Sequence, residues 1–134
     1  MILQSLEGLP AFIAYFCLSS VIVIVFLLIY TRITPLNEFE LIRKNVPAAA
    51  VSLGLSLVGF SLPLASAVAH SADLLDCGIW ALIALAVQYL AFYAARIPVP
   101  DLSERISNGE LAAAIWVGLA SLTAGVLSAA SMSL

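Results

Sequence analysis

Residues 34–66 read TPLNEFELIRKNVPAAAVSLGLSLVGFSLPLAS. The stretch begins with a short segment in which apolar and charged residues recur at helical spacing. Pro47, which suits the first turn of a helix, then opens an apolar run of membrane-spanning length. A weaker version of this pattern returns 64 residues later, at 98–130. We therefore interpret the chain as a two-helix hairpin that occurs twice.

The composition indicates a membrane protein. Of the 134 residues, 63% are hydrophobic and 10% are charged, whereas about 25% of a soluble domain is charged. Uncharged runs long enough to cross a hydrocarbon core of roughly 30 Å lie at 9–31, 46–69, 77–95 and 111–134. A soluble domain of this size could not cover four such helices with polar surface. The sequence predicts an all-α integral membrane protein with four transmembrane helices in a single domain, residues 1–134.

The charged connections are predicted to form short helices in the membrane interface. In the first of them, Thr34 is expected to be the N-cap and Pro35 the first helical residue of a helix that ends near Lys44. A second polar segment, at 98–110, precedes the fourth span.

Matches at the fixed offset of 64 define two internal repeats, at about 1–66 and 67–134. Arg32 pairs with Arg96, Glu40 pairs with Glu104, and the alanines at 48–50 pair with those at 112–114. Each repeat contains two spans, so the copies run in the same direction. We expect a pseudo-two-fold axis along the membrane normal to relate them.

The basic residues predict the orientation in a bacterial inner membrane. All of them lie in the first and third connections: Arg32, Arg43, Lys44, Arg96 and Arg105. Lys and Arg mark cytoplasmic loops. Both termini are therefore expected outside, and both charged connections are expected in the cytoplasm.

Small residues predict where the spans pack, because they let helix backbones approach closely in lipid. On the second span they are Ser52, Ser56, Gly59, Pro63 and Ser66, with Gly54 as a further packing position. On the fourth span they are Gly118, Ser121, Gly125 and Ser128. Pro63 is also expected to kink its helix and to leave the carbonyl of Gly59 without an intrahelical donor.

Several short motifs together resemble the YjfL family of bacterial inner-membrane proteins of unknown function. They are Thr34-Pro35, Glu38, Leu41-Ile42-Arg43, the alanines at 48–50, GFSLPLAS at 59–66, Trp80, Gln88 and Gly109-Glu110. The Gly-Asn pair usual in the family before the alanine run is Lys44-Asn45 here. The resemblance implies no established activity. It does imply a link to envelope-stress systems with phage-shock-type peripheral proteins and to polyamine-related enzymes.

Three sets of residues allow a chemical or a structural interpretation. His70, Asp73, Asp76 and Cys77 are suitable ligand types for a metal or proton site, but helix capping (by Ser71 or Asp73) and interfacial solvation account for them better. Gln88 could line a solute path, but we favour an interhelical hydrogen bond. Gly59 and Pro63 could form a hinge, although packing at a proline kink is commoner.

The leading functional hypothesis is a non-enzymatic membrane module that self-associates as a homo-oligomer and recruits a peripheral cytoplasmic protein, in envelope maintenance. Glu38 and Arg43 are the candidate residues of its cytoplasmic segment. The alternative is a small oligomeric channel or transporter for an ion or a small cationic solute, lined by Gln88 and the serines of the second span. We expect no catalytic residues, cofactor or metal. We also expect no nucleic-acid partner, because the chain has so few basic residues. The lipid bilayer is the third expected partner, beside further copies of the chain and the peripheral protein.

Overall fold

The computed structural model describes residues 2–33 and 38–132, and over these residues its regular structure is helical. The helices are α1 (Ile2–Leu6), α2 (Leu9–Ile33), α3 (Glu38–Arg43), α4 (Pro47–His70), α5 (Leu74–Ala95), α6 (Leu102–Ser107) and α7 (Leu111–Met132). Four stretches of the described chain are long and apolar enough to cross a membrane: Ile2–Arg32, Pro47–His70, Leu74–Ala95 and Leu111–Met132. The four predicted spans are therefore confirmed.

The ends of the spans follow local sequence signals. Helix α4 begins at Pro47, as predicted. Asp73 caps α5, since its Oδ1 accepts a hydrogen bond from the Asp76 backbone N–H at 2.8 Å. Ser71 instead closes α4, because its backbone N–H donates to the Ala67 carbonyl. The predicted cap at Thr34 and Pro35 lies outside the described residues.

Helices α3 and α6 end in the same kind of turn. Asn45 (φ 63°) and Gly109 (φ 83°) are both left-handed. After α3, the Val46 N–H donates to the Leu41 carbonyl at 3.0 Å, and Glu110 makes the matching bond at 3.0 Å after α6. Asparagine tolerates this backbone conformation, so Asn45 can occupy the position after α3 that Gly109 occupies after α6. Because the two turns lie 64 residues apart, they support the proposed duplication.

The centre of the bundle is the contact between α4 and α7. Ser56 lies beside Ser121, and Ser66 lies beside Ala129. Residue numbers rise together along both helices, so α4 and α7 are parallel. Helix α5 runs antiparallel to both and packs against both.

Helix α2 lies at the edge of the bundle. Its buried residues are Ile22, Phe26 and Tyr30, in the half that leads to α3. The Phe26 ring stacks on Phe60 with the ring centres 4.6 Å apart, and the Phe26 carbonyl accepts a hydrogen bond from the Tyr89 hydroxyl at 2.9 Å. Helix α2 thus packs on α4 and α5, while its contact with α7 is marginal.

The packing of the spans does not follow the two-fold axis expected from the sequence. A two-fold axis would place the same face of α4 and α7 in their contact. Helix α7 uses Gly118 and Gly125, but their counterparts 64 residues earlier, Gly54 and Ser61, are exposed. Helices α2 and α5 also lie next to each other rather than on opposite sides. The two hairpins are therefore parallel but are not related by a two-fold axis.

Both short connecting helices lie at one end of the bundle, where α4 and α7 begin. Helix α6 buries Leu102 and Ile106. On α3, Leu41 and Ile42 are half-buried and Phe39 is exposed. The basic residues of the described chain therefore gather at this end. Their location in the cytoplasm, and that of α3 and α6 in the interface, stays a prediction.

Candidate functional site

The seam between α4 and α7 requires glycine at three positions. A Cβ atom added to Gly59 would lie 2.5 Å from the Ser121 carbonyl oxygen, and one added to Gly118 would lie 2.6 Å from the Leu55 side chain. A Cβ added to Gly125 would overlap the Gly59 carbonyl group. Backbone therefore meets backbone in this seam, and packing replaces the hydrophobic effect as the force that joins the helices.

A hydrogen bond from α5 completes the seam at the proline. Pro63 has no N–H to donate to the Gly59 carbonyl four residues earlier. The Gln88 Nε2 group takes that role, donating to the Gly59 carbonyl at 3.1 Å. The interhelical hydrogen bond favoured for Gln88 is thus present. The Gln88 Oε1 atom is buried and has no hydrogen-bond partner in the described part of the chain.

A row of buried hydroxyl groups joins α2, α4 and α7. Ser56 Oγ lies 3.3 Å from Ser121 Oγ and 3.4 Å from the Tyr30 hydroxyl. Ser66 Oγ donates to the Ala129 carbonyl at 3.1 Å, which ties α4 to α7 at the other end of the seam. Ser52 Oγ turns back to the Ala49 carbonyl of its own helix. The five small residues predicted on the second span are all buried.

Glu38 brings a carboxylate into this protein interior. It is the first residue of α3 and is only 1% exposed. It lies within electrostatic range of Tyr30, whose hydroxyl continues the row to Ser56 and Ser121. The sequence singled out Glu38 but missed Tyr30 and Tyr89. Tyrosine near the end of a span usually indicates an interfacial anchor, and only the tertiary packing turns these two inward.

Three other predicted residues lie away from the seam. Gly54 is exposed with nothing within 4 Å of an added Cβ, so the expectation that it packs within the chain is wrong. Ser128 is half-buried and lines a groove between α5 and α7 beside Trp80. Arg43 is exposed on α3.

The polar turn before α5 is accounted for by capping. Asp73 accepts the Asp76 N–H, and Asp76 Oδ2 in return accepts the Ala72 N–H at 3.0 Å. His70 Nδ1 lies 2.9 Å from the Ser66 carbonyl oxygen, and Cys77 is buried. Within residues 2–33 and 38–132, no group of three or more His, Cys, Asp or Glu side chains is placed to hold a metal ion.

Four apolar helices joined by short charged segments define a multi-pass helical membrane protein. The chain belongs to the family described as Domain of Unknown Function (DUF350), whose profile matches residues 4–132. Two similar proteins are the "UPF0719 inner membrane protein YjfL" of Escherichia coli strain K12 and that of Escherichia coli O157:H7. Each is 41% identical over 128 residues, covering 96% of this chain and 97% of the relative.

No solved structure matches the chain. The family and its relatives confirm the resemblance drawn from GFSLPLAS and the accompanying motifs. The chain is accordingly a multi-pass protein of the inner membrane.

Proposed function

We propose that this chain is a non-enzymatic inner-membrane module that self-associates and recruits a peripheral protein to its cytoplasmic face, in envelope maintenance. The observation that carries the proposal is the poor coverage of the first span. Only 6% of its most apolar stretch is buried, against 50% for the span at Pro47–His70. Spans join in lipid through close packing, so a span that packs so little in its own chain offers a face to a second copy.

The recruiting surface is assigned to α3. Glu38 is buried and so holds one end of this helix against the bundle, while Arg43 at the other end is exposed. On the same short segment Lys44 pairs with Glu40 at 3.1 Å. A surface of mixed charge suits a protein partner better than anionic lipid, which selects clusters of basic residues. The family resemblance supplies the setting of envelope maintenance.

Crosslinking of the tagged protein in its native membranes tests both halves of the proposal. We expect bands of two or more copies together with a peripheral protein in fixed ratio. Arg43→Glu should remove the peripheral protein and keep the bands of the chain itself, because Arg43 is exposed and remote from the seam. Arg32 is also exposed at this end of the bundle, so Arg32→Glu is the matched control. Recovery of single copies alone would contradict the proposal.

A second function has one specific observation in its favour. Buried Glu38 on α3 lies within electrostatic range of Tyr30, and the Tyr30 hydroxyl leads through Ser56 to Ser121 inside the bundle. Polar and ionisable groups inside membranes often mark ion or proton paths. A small channel or transporter for protons or small cations is therefore the alternative.

The alternative predicts measurable flux through the purified protein. Liposomes that contain it should pass protons, monovalent cations or a polyamine, and Glu38→Gln should abolish that flux by removing the carboxylate charge at nearly constant shape. Glu104→Gln changes an exposed carboxylate on α6 and should leave the flux unchanged. The alternative fails if no ion or polyamine crosses the membrane above the rate of empty liposomes.

A further inference from the structure

The contact between α4 and α7 joins two different faces. We call the residues that α4 contributes the serine face: Ser52, Ser56, Gly59, Pro63 and Ser66. We call the residues that α7 contributes the glycine face: Gly118, Ser121, Gly125 and Ala129. Shifted by 64 residues onto one helix, the two faces lie about half a turn apart. Under the proposed duplication, α4 therefore carries residues equivalent to the glycine face, and α7 carries residues equivalent to the serine face.

Both counterpart faces are largely uncovered. The counterpart of the glycine face on α4 consists of exposed Gly54, Ser61 and Ala65 with half-buried Leu57. The counterpart of the serine face on α7 consists of exposed Trp116, Thr123, Leu127 and Ala130 with half-buried Ala120. Each face of the central seam thus occurs a second time as a largely exposed surface, although Trp116 on α7 donates its Nε1–H to the Ala95 carbonyl of α5 at 2.9 Å.

The outer pair of spans repeats this relationship. Helix α5 buries Cys77, Ala81, Ala84, Leu85, Gln88, Phe92 and Ala95. Their counterparts on α2 are exposed Ile13, Cys17, Val21, Ile24 and Leu28 with half-buried Ser20 and Thr31. In the other direction, α2 buries Ile22, Phe26 and Tyr30, and their counterparts on α5 are exposed Ala86, Leu90 and Ala94. These exposed residues of α2 and α5 are therefore the counterparts of residues that the other helix buries.

A groove marks the place where a further hairpin would fit. It has a volume of about 500 Å³ and lies between α5 and α7, with Ala91, Ala95, Trp116 and Ala120 among its lining residues. The counterpart of this groove lies between α2 and α4, where α5 packs on both helices and Gln88 reaches Gly59. By the same offset of 64 residues, α2 of a second copy would occupy the α5–α7 groove as α5 occupies the groove between α2 and α4.

We propose that copies of the chain add head to tail, with the counterpart face on α7 of one copy packed on the counterpart face on α4 of the next. The pairing Leu55–Gly118 inside the chain then recurs between copies as Leu119 on Gly54. The pairing Ser66–Ala129 recurs as Ala130 on Ala65. This inference rests on the self-association in the proposed function and names the surfaces that produce it.

The contact is heterologous, since two different faces meet, and it differs from the self-complementary contact of a two-fold dimer. The two faces lie on opposite sides of equivalent helices, so neighbouring repeats are related by a shift with little rotation. Such a contact extends into a row or a wide ring. Thr123 and Ser61 stand where the seam inside the chain has Gly59 and Gly125, which holds the helices of neighbouring copies farther apart. The contact between copies is therefore weaker than the one inside the chain.

Cysteine crosslinking distinguishes this arrangement from a two-fold dimer. Ala65→Cys and Ala130→Cys would be introduced singly and together into a Cys17→Ala background, and membranes would be oxidised with copper phenanthroline. We expect no crosslink from either single variant, a dimer when the two single variants are co-expressed, and a ladder of dimer, trimer and longer species from the double variant. Gly54→Phe should abolish the ladder without changing the unfolding of the single chain, because nothing lies within 4 Å of an added Cβ there.

Counting copies by single-molecule photobleaching separates the two possible failures. If several copies are counted and the double variant gives no ladder, or if a single variant forms dimers, the head-to-tail surfaces are wrong and self-association stands. If only single copies are counted in native membranes, the proposed function and this inference both fail.

Discussion

Gly125→Ala is expected to lower the free energy of unfolding of the bundle by roughly 3 kcal/mol, the upper end of the usual cost of overpacking a core. The added Cβ would overlap the Gly59 carbonyl, and backbone cannot move aside as the end of a side chain can. The two helices would have to separate, and the contacts of the whole seam would weaken with them. The measurement is unfolding by sodium dodecyl sulfate in mixed micelles, followed by tryptophan fluorescence.

Gly54→Ala is the matched control for this prediction. Gly54 lies on the same pair of helices as Gly125, but an added Cβ there meets nothing within 4 Å. Alanine is favoured over glycine inside a helix by about 1 kcal/mol, so the control should be unchanged or slightly more stable. Equal losses at the two positions would contradict the prediction, because helix propensity favours alanine at both and only Gly125 has backbone in the way of an added Cβ.

Gln88→Leu is expected to cost about 1–2 kcal/mol of unfolding free energy, the usual penalty for a buried acceptor left unsatisfied. The Gly59 carbonyl has no intrahelical donor because Pro63 lacks an N–H, and Gln88 Nε2 supplies the missing bond at 3.1 Å. Leucine has a similar volume but no donor. The same unfolding assay in mixed micelles measures the loss.

Pro63→Ala provides the partner for a double-mutant cycle. It returns a backbone N–H four residues after Gly59, so the carbonyl no longer depends on Gln88. In that background Gln88→Leu should cost about 1 kcal/mol less than in the natural sequence. Additive losses would mean that Gln88 acts through another contact. Gln88→Glu keeps the length of the side chain but, when ionised at high pH, buries a charge beside the Gly59 carbonyl, so it should cost more than Gln88→Leu.

The sequence predicts the spans and their local signals well because these depend on composition and on neighbours along the chain. Uncharged runs mark the four spans, Pro47 marks the start of α4, and Asp73 marks the cap of α5. The sequence also identified both groups of one interhelical bond, the Gly59 carbonyl freed by Pro63 and the Gln88 side chain, but it did not pair them.

The sequence predicted the buried stripe through Ser56 but did not exclude packing through Gly54 on the other side of α4. Helix α4 carries a small-residue stripe through Ser56 and another through Gly54, and both would let a helix approach closely. Which stripe meets α7 depends on the rotation of each helix about its own axis, which is set by all of its neighbours at once. Because each repeat contains two spans, the two repeats run parallel. The sequence does not determine whether a two-fold axis or a translation relates them.

The burial of Glu38 and Tyr30 could not be predicted from the sequence, because it also depends on how the helices pack together. A glutamate in a charged connection normally faces water. Glu38 is enclosed only because α3 folds back on α4, next to a tyrosine from the first span. Contacts between residues distant in the chain decide this point, and no local pattern encodes them.

The parallel seam also determines when the protein can finish folding during synthesis. Its two helices are the second and the fourth of the four spans along the chain, and Ser56 and Ser121 are 65 positions apart. Until the last span enters the bilayer, the serines of α4 have only α2, α5 and lipid as neighbours. A nascent chain halted before α7 therefore displays an incomplete core within the membrane. The bundle can therefore close only after α7 has entered the bilayer.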